Sequence, residues 1–134
     1  MGRRATLIAS LVEPPRADGG SIAALAGRAD WLEVRADRVG DLPADWLRER
    51  FPGRLLYTLR SRPEGGEYEG GRERRLRRLA EASAGYDYVD LEGDRDLDGD
   101  LLDAIEPARR LISWHGAPAD LAGLRARFDH LSGT

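Results

Sequence analysis

Apolar and polar residues alternate along five short stretches of this chain, and in all five the polar members share one phase toward the C-terminal end. Thr6–Val12 carries Ser10, and Asp30–Asp37 carries Glu33, Arg35 and Asp37. Arg54–Arg60 carries Thr58 and Arg60, Tyr86–Glu92 carries Asp90 and Glu92, and Arg109–His115 carries Ser113 and His115. Residues two apart on a strand point to one face, so each set shares a side of its strand. Strands that all deliver polar groups at their C-terminal ends describe the mouth of a parallel α/β structure, where active sites are built.

Helical spacing fills the gaps between these stretches. Helices are expected at about Gly20–Gly27, Ala44–Phe51, Arg72–Ala84, Leu97–Glu106 and Ala119–Leu131, with a polar loop at Ser61–Gly71. Leu76, Leu79 and Ala80 show the i, i+3, i+4 pattern of a helix packed on one side. Pro43, Pro52-Gly53, Gly85 and Pro107 punctuate the boundaries. Five βα units in series require a parallel sheet with right-handed crossovers. The turn after the first strand, Glu13-Pro14-Pro15-Arg16, has no glycine fingerprint for a dinucleotide. The inward charges favour a (β/α)8 TIM barrel over an open doubly wound sheet. A full barrel takes about 250 residues, and this sequence has 134. The expectation is a single domain, residues 1–134, forming the N-terminal portion of such a barrel.

Composition narrows the function. Hydrophobic residues make up 41% and charged residues 34%, which suits a globular domain. No apolar run is long enough to span a membrane, and no signal-peptide pattern opens the chain, so a cytoplasmic location is expected. Cysteine is absent, which removes thiolate chemistry. A net charge of −3 argues against nucleic-acid binding. All 21 basic residues are arginine, so no side-chain amine is available for carbonyl chemistry.

Several residues invite a chemical reading. Glu33, Arg35 and Asp37 form either an internal ion-pair ladder or a carboxylate–guanidinium grip on substrate hydroxyls or carboxylate. Glu64-Gly65-Gly66 after Arg60 permits a sharp loop that carries Glu64 over the site. His115 ends a strand on the same phase as the other polar groups, and an imidazole both takes and returns a proton near neutrality. His130 on the last helix is expected to be solvated. One histidine among scattered carboxylates, His115 with Asp90 and Glu92, is poor support for a metal, and no metal or cofactor is expected. The run from Arg72 to Arg78 is read as a solvated outer helix face.

Taken in order, these motifs resemble type I 3-dehydroquinate dehydratase, the Schiff-base class of the shikimate pathway. The resemblance rests on Ile8-Ala9-Ser10-Leu11, Glu33-Val34-Arg35-Ala36-Asp37, Thr58-Leu59-Arg60 with Glu64-Gly65-Gly66, Asp90-Leu91-Glu92, and Ser113-Trp114-His115 with Pro118. It implies a (β/α)8 lyase that dehydrates 3-dehydroquinate to 3-dehydroshikimate through an imine with a lysine. On this resemblance His115 is the general acid/base and Glu64 orients it. Ser10, Glu33, Arg35 and Arg60 bind the substrate's polar groups, and Asp90 supports them.

Two departures accompany the resemblance. The family's histidine is followed by Asp-Phe, where this chain has Gly116-Ala117. The imine lysine belongs on the next strand, and these 134 residues contain none. The expectation is therefore a chain that is inactive alone. Unpaired edges at the first and fifth strands lead to self-association or to a complementing chain. The alternative is a non-catalytic binding or assembly module with a half-barrel fold.

Overall fold

The computed structural model describes residues 2–134. Five strands form one sheet: β1 (Ile8–Leu11), β2 (Trp31–Arg35), β3 (Arg54–Thr58), β4 (Tyr88–Glu92) and β5 (Arg110–Ser113). The strand order is β1-β2-β3-β4-β5, and every neighbouring pair is parallel. A doubly wound sheet would reverse its order part-way. Unbroken sequential order with right-handed crossovers puts every helix on one side. The result is an arc of a (β/α) barrel, as the alternation predicts.

Six helices connect the strands: α1 (Gly20–Ala23), α2 (Ala36–Val39), α3 (Ala44–Arg48), α4 (Arg72–Ser83), α5 (Gly99–Ala104) and α6 (Leu121–Ser132). Asp98 and Asp120 cap α5 and α6, accepting from the Asp100 and Gly123 backbone N–H groups. Pro43 precedes α3 in extended backbone, as a helix-starting proline should. Several elements are shorter than their sequence pattern suggests. In particular, β2 stops at Arg35, and Ala36–Val39 coil into α2. Asp37 therefore stands on a helix and not on the strand with Glu33 and Arg35.

Register divides the side chains between two faces. Leu32 and Val34 of β2, Leu55 and Tyr57 of β3, and Val89 and Leu91 of β4 join Ile22, Leu47, Leu79 and Leu101 of the helices in one buried core. The opposite, inner face carries the alternate residues. Ser10 sits beside Glu33, Arg35 beside Thr58, and Glu92 beside Ser113. Deeper on that face the rings of Trp31 and Tyr88 stack with centroids 4.2 Å apart, closing the N-terminal end with apolar surface. Packing thus holds the outer face, and the inner face is left to polar chemistry.

Candidate active site

Glu33 links three strands. Its Oε1 accepts from the Thr58 hydroxyl of β3 at 2.8 Å, and its Oε2 accepts from the Ser10 hydroxyl of β1. Two hydroxyl donors fix the carboxylate at the centre of the inner face. The neighbouring Arg35 makes a two-pronged pair with Asp37, Nε to Oδ1 at 2.9 Å and Nη2 to Oδ2 at 2.8 Å. The Asp37 side chain is fully buried and also accepts the backbone N–H groups of Glu67 and Arg60. Burial alone would raise its pKa. The Arg35 guanidinium and the N–H groups of Glu67 and Arg60 outweigh that and hold it below the ordinary aspartate value. Arg35 is itself held more firmly protonated, chiefly by that hydrogen bond to Asp37.

Arg60 lies beyond the end of β3 and is almost fully enclosed. Its Nη2 donates to Asp90 at 3.0 Å, and its Nη1 donates to Glu92 at 3.1 Å and to the Ser113 hydroxyl at 2.9 Å. Ser113 in turn donates to Asp90 at 2.6 Å. Glu92 also accepts from the Ser61 backbone N–H and hydroxyl, at 2.9 and 2.7 Å. The two carboxylates respond in opposite directions. Burial pushes Asp90 above the ordinary range despite the nearby Arg60 and Ser113. Burial also acts on Glu92, but the Ser61 donors, Arg75 and Arg60 override it and hold Glu92 low. Arg60 thus ties β4 and β5 to the end of β3 and braces the floor.

Glu64 and His115 meet above this floor. A 3-10 turn spans Arg62–Glu64, and Gly65 after it takes φ +89°, a conformation that side chains disfavour. Gly66 then packs so closely on the Arg60 carbonyl that a Cβ there would stand 2.2 Å from its oxygen. These two glycines press the loop against the strand end and seat Glu64, whose side chain is only 5% exposed. Glu64 Oε1 accepts the His115 backbone N–H at 2.8 Å and lies 3.3 Å from Nδ1 of the ring. Glu64 Oε2 accepts from Arg95 at 2.8 Å. The His115 side chain is about half exposed, 48%, so solvent or a ligand reaches it. The departure at Gly116 also has a steric reason. The Trp114 ring lies over it, and a Cβ would overlap that ring at 1.9 Å.

All seven residues singled out in the sequence stand on or beside the inner face, and hydrogen bonds join them in three groups, the third being Glu64 with His115. Ser10 donates directly to Glu33, which Thr58 also holds, while Arg60 donates directly to Asp90 and is bridged to it again by Ser113. Arg35 reaches the Arg60 backbone through Asp37, and Glu64 reaches Glu92 through Arg95, 3.6 Å away. Among the described residues no group of three or more histidine, aspartate or glutamate side chains could hold a metal ion. Sequence reading missed Arg75, assigned to a solvated face. It is buried, with two bonds to Asp96 and one to the Leu59 carbonyl. The usable signal was its position four residues before Leu79, on the stripe that packs inward.

A sequence model of the type I 3-dehydroquinase family matches residues 9–130, a span that contains every residue of this cluster. The chain belongs to that family. Among curated relatives, the 3-dehydroquinate dehydratase of Methanopyrus kandleri is 36% identical over 119 residues, covering 80% of this chain and 53% of the relative. That of Desulfotalea psychrophila is 45% identical over 65 residues, covering 48% of this chain and 29% of the relative. This type I dehydroquinase chain therefore spans about half the length of the curated relatives it matches, or less. The 3-dehydroquinate dehydratase structure from Enterococcus faecalis superposes with a TM-score of 0.61 at 23% identity, over 92% of this chain and 62% of that one. The Aquifex aeolicus enzyme gives 0.55 at 24% identity, over 80% and 51%. These likenesses establish the barrel-type fold of the dehydroquinase.

Proposed function

We propose that this chain carries the acid–base and substrate-binding part of a 3-dehydroquinate dehydratase in chorismate biosynthesis. The observation that supports this most is the seating of Glu64 against His115 at the strand ends, beside a floor of fixed carboxylates and guanidinium groups. With Glu64 at Nδ1, the His115 ring is oriented so that Nε2 serves as the proton acceptor. His115 removes a proton from C2 of the substrate and returns it to the departing hydroxyl, which leaves as water. Ser10 and Glu33 hold substrate hydroxyls, Arg35 and Arg60 hold its carboxylate and oxygens, and Asp90 keeps Arg60 in place.

The carbanion formed at C2 needs an electron sink. An imine supplies one, worth several kcal/mol of transition-state stabilisation. These 134 residues contain no lysine, so the amine is supplied from outside them. On this reading the chain binds 3-dehydroquinate, stays in the cytoplasm with its pathway, and turns over only when another segment or a different chain brings that amine and completes the site. The exposed edges agree with that. β1 and β5 each have one neighbour, and Leu7 and Ile8 at the β1 edge are about half exposed, at 51% and 47%.

Two measurements on the 134-residue chain test this. Tryptophan fluorescence, reporting from Trp114 beside His115, should change saturably on titration with 3-dehydroquinate. Borohydride treatment of the mixture should leave no adduct on any internal residue. Absence of binding would overturn the reading and leave a non-catalytic assembly module. An internal adduct would overturn the external origin of the amine.

A further inference from the structure

We propose that Arg95 is a positioning residue for His115, acting through Glu64 to set which ring nitrogen carries the proton. This inference deepens the acid–base reading above and rests on it. Glu64 is a nearly enclosed carboxylate whose two oxygens do different work: Oε2 faces Arg95 at 2.8 Å, and Oε1 faces the backbone N–H and Nδ1 of His115. A glutamate side chain has three rotatable bonds, and nothing on its own short turn holds the carboxylate in one orientation. Arg95 does so from the turn after β4, 31 residues away, by pinning one oxygen and leaving the other aimed at the histidine. A carboxylate next to Nδ1 draws the ring proton to that nitrogen. Nε2 then keeps its lone pair for the substrate. Arg95 also stands 3.6 Å from Glu92, farther than its 2.8 Å bond to Glu64, and the nearer partners of Glu92 are other groups. Glu92 takes up Arg60, Ser61 and Arg75, and Arg127 pairs with Asp94 while stacking on Trp114.

The chain has only two histidines, so ring nitrogen NMR reads His115 with the solvated His130 as an internal control. At mildly alkaline pH, where an imidazole is neutral, His115 in the unmodified chain should show the Nδ1–H tautomer. Arg95→Ala should give a mixture of tautomers and speed exchange of the His115 amide by about tenfold, the loss of one hydrogen bond. Arg95→Lys should restore most of both. If Arg95→Ala does not fold, Arg95→Gln serves as the same test with the side-chain length retained. A folded Ala or Gln variant that keeps the single tautomer and a protected amide overturns the proposal. An ion pair of purely structural importance would lower the melting temperature and leave the ring unchanged. No substrate enters the measurement, so failure to bind 3-dehydroquinate and failure of this inference are read separately.

Discussion

Arg75 and Asp96, on α4 and on the turn after β4, form a two-pronged ion pair with Nε to Oδ1 at 2.6 Å and Nη2 to Oδ2 at 2.7 Å. Both side chains are sealed from water, at 5% and 0% exposure. Asp96 also accepts the Glu92 backbone N–H at 2.7 Å, and Arg75 lies 3.4 Å from the Glu92 carboxylate. The pair therefore ties the outer helix layer to the polar floor of the mouth. Burial opposes the charge on Arg75, and Asp96 and Glu92 reverse that effect and hold it protonated.

Removing one partner leaves the other charge buried. Asp96→Asn should lower the unfolding free energy by roughly 3 kcal/mol, measured by urea denaturation. A loss below about 1 kcal/mol, the value typical of an exposed pair, would show that water reaches the site.

Asp37 predicts an acid limb of stability. Its folded pKa lies below the ordinary 3.8, so its contribution is fully present above that value. It is lost as pH falls through the lower folded value. Asp90, held high, acts in the opposite sense and gains relative stability as it is protonated. Asp37→Asn should be less stable at neutral pH and should flatten the decline on acidification. Melting curves of both proteins across this range that run parallel would refute the assignment.

Thr58 is fully buried, and its hydroxyl donates to Glu33. Thr58→Val keeps the shape and removes the donor, leaving Ser10 to hold the carboxylate. The expected cost is about 1 kcal/mol of stability, together with several-fold weaker 3-dehydroquinate binding by fluorescence. Unaltered affinity would remove Glu33 from the binding group.

The outer helix α6 exposes Leu121, Leu124 and Phe128 at 63%, 44% and 71%, all on one helical face. Together with the open strand edges, this face should drive self-association. Light scattering should report species larger than one chain. Phe128→Glu should shift them toward the monomer with the helical circular dichroism preserved. A monomer with a sharp cooperative melt in the unmodified chain would contradict this.

Alternation with a period of two is a local property, and it was enough to assign the five strands, their shared inner face and the residues on it. Glu33, Arg60, Asp90 and His115 were legible for that reason, since each sits at a fixed parity from the apolar residues that bury the other side. Who holds whom was not legible. Asp37 left the strand for α2 yet still found Arg35, because a two-residue step can be bridged by a long guanidinium arm. Arg75 looked like one more surface arginine until the packing of α4 turned it toward Asp96. Arg95 met Glu64 only because two separate turns converge above neighbouring strands. Charge pairs across 21 to 51 residues depend on how the layers stack, and long flexible side chains leave no periodic trace of the partner they will reach.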